Sequence, residues 1–544
     1  MGFTDAVVPV GEAVGLKIAM SNPYVAAAAA AWLIGDYLYN YYTQTAPEPP
    51  KPSDRIALPV TTVGSPVPII YGRYRVKSPV LAWNSAAAAT VYNSSLGNAE
   101  FTYSMSMLFC VGYTFREGRN KVLEIYFDDT RGVDNRSTTN PAYPTQYVTD
   151  LKGDGGHENP ASFSHTQSVP TATYDESQTG GTVELLNGHS TQHIFNPDGT
   201  SNTLYGDAVL YNGEFKRQTP NYYGMLSLFL SSYVPNYVNG VAGPSQTHLG
   251  FLLGTKATIP KISFEVETRP ASIYEDYVLP GAVDVNPITC MIDLLTDSRK
   301  LGNLPSRLDM VGFHAAELKV MQEGILMSRA YDTRQPASDL INEILSLVDG
   351  IFYEDPADGR YYIRLIRPDY DPSSIRQINP SNCESVEQFA APGQYDLPNQ
   401  VSITYSSRGN AYESATVSQQ SQGLIYGTDG DIRDVTVQLP CLCDDALAPL
   451  IAERETHSRC MPLIKCAVIV NRSFYTARPG DAVKLVWPEA NISSMVFRVV
   501  NVSRGTLQDG KIRMNLIQDY FYQWKNNIPT TTGIINTGMS TQTV

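Results

Sequence analysis

Chemistry in a protein chain starts with nucleophiles, metal ligands, paired carboxylates and phosphate-cradling glycines, and this sequence holds fragments of each. Gly505-Thr-Leu-Gln-Asp-Gly510-Lys511 has the first seven positions of a phosphate-binding loop. Ile512 stands where a Ser or Thr should hold magnesium, and strand-like text lies on both sides where that loop needs a following helix. A hairpin turn accounts for these residues. Cys441, Cys443, Cys460 and Cys466 bring four sulfurs close in sequence, but their spacings fit poorly with the two-to-four-residue knuckles of structural zinc. His189 and His193 would converge only on a helix, and Asn187, Gly188, Ser190, Asn196 and Pro197 around them read as loop. His157-Glu158 lacks the second histidine of a zinc protease. There is no G-x-S-x-G elbow for a nucleophilic serine, and no spacing singles out a carboxylate pair for sugar hydrolysis. The expectation is a protein that is not an enzyme, with no catalytic, metal or cofactor site.

The elements that would position such residues are mainly β. Strands are expected at Val122–Phe127, Ala208–Tyr211, Met225–Tyr233 and Ile259–Val266, and Phe101, Tyr103, Met105 and Met107 alternate with polar residues at a period of two. A helical segment, 286–350, follows. Asn286 caps a helix opened by Pro287, with Ile288, Met291, Ile292 and Leu295 on one face. Asp309 is expected to cap a second helix, and a third runs from Pro336 to Val348 with Gly350 as its stop. Asp355-Pro-Ala-Asp-Gly359 reads as the turn of a hairpin between Ile351–Glu354 and Tyr361–Ile366. From Gln400 to Phe521 the text is again β, interrupted by a short helix near Asp444–Ser458. The fold class is therefore mainly β with α, in several domains: barrel-like β units, a small helical segment and an N-terminal helix.

The divisions are 1–45, an Ala-rich helical segment; 46–55, a Pro-rich linker; 56–285, a β-rich domain; 286–350; 351–525, a second β-rich barrel-like domain; and 526–544, a polar tail. Between about 130 and 205 apolar residues are scarce, which reads as a long surface insertion. The N-terminal helix carries Tyr24, Trp32, Leu33, Ile34, Tyr37 and Tyr41. Its apolar run is shorter than the roughly 20 residues of a bilayer span. An oligomer-lining helix, a helix that later meets a membrane and a constitutive anchor all stay open for it.

Composition narrows the class of function. The chain has 544 residues, of which 17% are charged, against about 25% in ordinary proteins. It has 34 Tyr and a net charge of −14. A surface short of charge and rich in Tyr suits burial against partners, and the acidic balance argues against a basic nucleic-acid groove. Seven cysteines, an odd number, make a disulfide framework unexpected and point to folding in a reducing cytosol. No secretory leader is read at Met1–Gly15.

Thr62-Val-Gly-Ser-Pro-Val-Pro-Ile-Ile-Tyr-Gly-Arg-Tyr-Arg-Val76, after a Pro-rich linker and a small-residue-rich start, resembles the opening of the tail-tip or baseplate hub proteins of tailed bacteriophages. These include relatives of the gene-transfer-agent hub and of lambda-like central tail-tip proteins. Tyr103–Gly112, Tyr222–Phe229, Ile259-Pro-Lys-Ile-Ser-Phe-Glu-Val266, Asn286–Leu304, Pro479-Gly-Asp481 and Ile517-Gln-Asp519 are similar to further segments of that family, in its order. The matched structural residues are Gly64, Pro66, Pro68, Tyr71, Gly72, Pro260, Phe264, Glu265, Pro479, Gly480 and Asp481. The 130–205 insertion is longer than the family pattern, Asn303 is inserted ahead of the Leu-Pro turn, and no wall-hydrolase domain is attached. The resemblance implies a virion protein assembled in the host cytoplasm, a homotrimeric ring at the tail tip. It would close the tail tube beside a tube or distal tail protein, hold the tape-measure protein, carry fibres or a spike, and pass DNA during ejection, with the host envelope as a further contact. A receptor- or glycan-binding tail protein and an envelope-penetrating tail protein are the competing readings.

Overall fold

The computed structural model describes residues 66–521 apart from 86–87, 94–99, 116–119, 128–129, 135–166, 169–181, 187, 189–192, 196–203, 212–218, 232–236, 239–240, 243–250, 255–260, 271–282, 372 and 507. The N-terminal helix with Tyr24, Trp32, Leu33, Ile34, Tyr37 and Tyr41, the linker, Gly64, Pro260 and the 526–544 tail lie outside the described residues.

Two five-stranded sheets stack in the first half. One runs β15 (Arg329–Tyr331), β1 (Ile69–Val76), β14 (Ile262–Thr268), β6 (Asn120–Phe127), β7 (Thr130–Asp134). The other runs β2 (Val80–Asn84), β5 (Met107–Tyr113), β10 (Met225–Ser231), β9 (Thr182–Leu186), β8 (Gln167–Ser168). Every described pairing in both is antiparallel. Alternation builds the core between them: Met107, Phe109 and Val111 of β5 meet Ile262, Phe264 and Val266 of β14. Leu108 points the other way, and with Leu186, Phe229 and Trp83 it receives Tyr205 and Val209 of helix α1 (Leu204–Tyr211). Smaller pieces flank the stack: a sheet in the order β13 (Phe251–Gly254), β4 (Glu100–Met105), β3 (Ala88–Asn93), and the pair β11 (Tyr237–Val238) and β12 (Val241–Ala242).

Three expectations change here. Ala208–Tyr211 is the end of a helix, because Tyr205 and Val209 stand four apart and pack as one face on the sheet. The span 130–205 is not all surface: β9 sits between β10 and β8, with Glu184, Leu185 and Leu186 buried. The alternation through Phe101–Met107 covers two strands of different sheets, β4 and β5, broken at Ser106.

A helical layer joins the halves. Helix α2 (Pro287–Thr296) is capped by Asn286, whose side chain accepts from Ile288 N at 2.9 Å. Helix α3 (Met310–Gln322) follows Asp309, but that carboxylate makes no capping bond and only its carbonyl accepts, from Phe313 N at 3.0 Å. Helix α4 (Ala337–Val348) ends on Asp349, which takes the left-handed conformation at φ 51°. Gly350 is therefore not the stop; it already begins β16 (Gly350–Asp355), hairpin partner of β17 (Arg360–Leu365). The core of this layer takes Tyr71 and Phe115 from the first half and Val401, Ile403 and Leu439 from the second.

The second half has a six-stranded curled sheet in the order β18 (Arg376–Ile378), β24 (Ala482–Trp487), β25 (Ile492–Ser503), β26 (Ile512–Gln518), β23 (Lys465–Val470), β19 (Cys383–Ala390). Beside it lies a three-stranded sheet, β21 (Glu413–Gln420), β20 (Gln400–Ser407), β22 (Asp434–Leu439), with the short helix α5 (Gln422–Gly427) between β21 and β22 in sequence. Helix α6 (Leu447–Arg459) packs on β20 and β21. The molecule is mainly β with α. Among the described residues no helix is long and apolar enough to cross a membrane.

Candidate functional site: buried polar joints

Of the described residues singled out by resemblance, Tyr71, Gly72 and Glu265 lie where the halves meet. Pro68 is buried, and its carbonyl accepts from Tyr113 N at 3.1 Å; Pro66 is half-buried ahead of it. Tyr71 is fully buried, and its hydroxyl donates to Asp293 Oδ2 at 2.7 Å. Lys300 Nζ binds the same carboxylate and stands 5.1 Å from the Tyr71 ring and 5.0 Å from that of Phe115. Burial, then the Asp293 charge, pushes the Tyr71 hydroxyl well above its usual pKa, so it stays a donor. Gly72 has φ +70°, and a Cβ there would overlap Ser328 Oγ and lie 2.9 Å from Met327 O. Only glycine fits this approach.

Ser328 begins a polar chain between the halves. Its hydroxyl accepts from Arg73 N at 3.0 Å and donates to Asp284, which also binds the Arg408 guanidinium. Cys443 Sγ donates to Ser328 O at 3.1 Å. Beyond Arg408, the Tyr412 hydroxyl donates to Glu265 Oε1 at 3.0 Å. Glu265 lies opposite Glu124 across β14 and β6, and the Tyr126 hydroxyl donates to both, at 3.1 Å to Glu265 Oε2. Arg75 covers the Tyr126 ring at 3.9 Å and donates to Ser263. Thus β14 sends Phe264 into the apolar core and Glu265 into the joint, as alternation requires.

A second joint seats the curled sheet. Pro479, Gly480 and Asp481 form the turn into β24. Gly480 has φ +88° and its N–H donates to Val499 O at 2.7 Å; Asp481 accepts from Arg478 N at 2.9 Å and pairs with Arg364 at 2.9 Å. Arg498 donates to Gly480 O at 3.0 Å and to Asp519 Oδ2 at 2.6 Å, and reaches Arg367 O. Arg367 holds Glu323 by two bonds of 2.7 Å. Asp355, in the hairpin turn, takes Arg478 at 2.8 Å and Arg504 at 3.4 Å.

Near the first joint, Asp297 lies beneath Arg299. Burial opposes its charge, but the side-chain and backbone hydrogen bonds from Arg299, with Lys300, outweigh it and hold the carboxyl down at about 2. Arg299 also donates to Gly224 O at 3.1 Å and Thr114 O at 3.0 Å, tying the helical layer to the second sheet.

The other candidates separate. Residues 505–511 connect β25 to β26. Cys441 and Cys460 lie in the helical core, whereas Cys466 lies with Cys383 inside the curled sheet. All seven cysteines are buried and unbridged, and burial pushes Cys466 up to about 12. His193 is exposed, 3.2 Å from the Tyr223 hydroxyl. Among the described residues no three His, Cys, Asp or Glu gather as a metal site. Sequence reasoning missed Glu124, Asp284, Ser328 and Arg408. The one local signal was an acid at Glu124 inside an apolar strand. What these groups do chemically is hold: Asp284, Asp293, Glu265 and Asp355 each face a cation or a hydroxyl from another part of the chain.

Comparisons with known proteins bear on the second half above all. No curated protein matches the chain. Among solved structures, a chain of the virion of a native gene transfer agent particle is 13% identical, covering 90% of this chain and 95% of that one at a TM-score of 0.48. A tail protein from Neisseria meningitidis MC58 is 14% identical over 35% of this chain and 56% of its own, TM-score 0.25. The 43 kDa tail protein of prophage MuSo2 from Shewanella oneidensis is 10% identical over 54% and 77%, TM-score 0.24. Residues 336–502, from α4 through nearly all of β25, match the family described as "Putative phage tail protein". Over that segment the chain is similar to the phage tail protein family.

Proposed function

We propose that this protein is a structural component of a phage-like virion, the hub of the tail tip. In this reading three copies form a ring that closes the far end of the tail tube, holds the tape-measure protein, carries fibres or a spike, and passes DNA on ejection. The observation that carries it is the family match over residues 336–502. A low share of charged residues, 17% of the chain, favours burial between copies and neighbours. The joints favour a mechanical part: ion pairs such as Arg408–Asp284 and Arg498–Asp519, with tyrosine hydroxyls on Glu265, tie sheets and helices together.

The Ala-rich segment 1–45 belongs, on this reading, near the ring axis, beside the channel or the tape measure. Particles lacking those residues should assemble or eject DNA poorly; normal infection by them would remove this assignment. The main test is gold labelling of a tagged copy in purified particles, with the mass of the extracted complex. Label at the tail tip and a mass of three chains support the reading. Label on the head or on peripheral fibres, or a solitary chain absent from particles, overturns it.

A further inference from the structure

The two open edges of the three-stranded sheet and the outer edge of the curled sheet are built differently. Strand β19 is bulged twice against β23, has Gln388 at φ 53°, and carries Glu384 and Glu387 in ion pairs with Lys511 and Arg513. Bulges and charge are the usual protection of a sheet edge. Strand β21 has neither over most of its length. It pairs with β20 through eight consecutive residues without a register shift, and residues 414–420, Ser-Ala-Thr-Val-Ser-Gln-Gln, hold no charge. Among the described residues β21 pairs only with β20, and five of those seven residues are exposed. The opposite edge, β22, is approached by α4.

The polar face beside this edge is a ladder of hydroxyls and amides: Ser402 with Ser418 at 2.8 Å, Thr404 with Thr416 at 3.4 Å, Gln420 with Gln400 at 2.7 Å. Ala415 and Val417 alternate toward the side backed by α6. An added strand would need the same period of two, small or hydroxylated residues on one face, modest apolar ones on the other, and no charge.

The chain contains such a sequence. Residues 526–544 carry no charged side chain, and Ile535, Thr537, Met539 and Thr541 alternate with Asn536, Gly538, Ser540 and Gln542. The last described residues leave from a suitable place. Tyr520 lies within electrostatic reach of Asp349, at the end of α4, and of Arg454 on α6. Helix α6 is the helix that backs β21 and is about 20 Å long at 1.5 Å per residue. The residues between Phe521 and Ile535 can span about 40 Å or more when extended. The tether also keeps the tail's effective concentration in the millimolar range.

We propose that the C-terminal tail, residues 526–544, docks in cis along the free edge of β21 as a fourth strand of this sheet. Hydrogen exchange on the full chain tests it. Alternate amides of residues 414–420 should exchange at least tenfold more slowly in the full chain than in a chain ending at Lys525, unchanged over a hundredfold dilution. A full-length variant with Thr537→Pro and Thr541→Pro, which removes two N–H donors and keeps the rest of the tail, should lose the same protection. Equal exchange in full and shortened chains, or full protection in the proline variant, overturns the proposal. Protection that falls on dilution means docking between copies and overturns it as well.

Discussion

At the scale of single residues, the tightest constraint is Gly72. Its left-handed backbone costs an alanine about 1–2 kcal/mol, and the overlap with Ser328 adds a packing penalty of similar size. Gly72→Ala should therefore lower stability by about 2 kcal/mol or more, read from denaturant midpoints at unchanged slope. Adding Ser328→Gly should not restore the loss, because the approach to Met327 O stays and Arg73 N and Asp284 lose the Ser328 hydroxyl. Arg408→Met leaves Asp284 buried beside Ser328 without its cation, and should cost about 3 kcal/mol in the same assay. Asp297 makes a pH prediction. Its folded carboxyl sits at about 2, below the unfolded value near 3.9, so its contribution is complete above about pH 4 and is lost as pH falls toward 2. Asp297→Asn should flatten the acid limb of the stability curve in that window, measured by thermal melts at stepped pH. Little of this was legible beforehand. Ser328 and Asp284 are 44 residues apart and Arg408 and Asp284 are 124 apart, so no local spacing announces them.

At the scale of elements, legibility followed the strength of the local signal. Helix α2 could be read because Asn286, Pro287 and an apolar face coincide, and the hairpin of β16 and β17 because its turn is Asp-Pro-Ala-Asp-Gly. Strand β9 was hidden. Its three apolar residues, Val183, Leu185 and Leu186, stand in a long polar stretch, and what makes them a strand is the partner β10 some forty residues on. Helix α1 was misread as a strand because the four residues considered omit Tyr205, the other half of its buried face. Strand β9 is integral, so Leu185→Ala should cost about 2–5 kcal/mol, as for a core leucine, rather than the few tenths expected of a surface loop. Equilibrium unfolding distinguishes the two outcomes.

At the scale of the whole molecule, four apolar cores among the described residues carry the architecture: one between the stacked sheets, one where α1 packs on the second sheet, one around the helical layer and one inside the curled sheet. The mainly β class was readable from periodicity; the sharing of the helical core between halves was not, since Tyr71 and Val401 meet only through the topology. All seven thiols are buried, Cys290, Cys441 and Cys460 in the helical core and Cys383 and Cys466 inside the curled sheet. A thiol reagent should therefore label the folded protein far more slowly than the denatured one, with labelling rising along the unfolding transition. On the reading proposed above, of a virion part assembled in a host cell, that distribution has a practical meaning. With all seven cysteines unbridged and buried, the fold is held without an oxidising step and presents no exposed thiol to an oxidant.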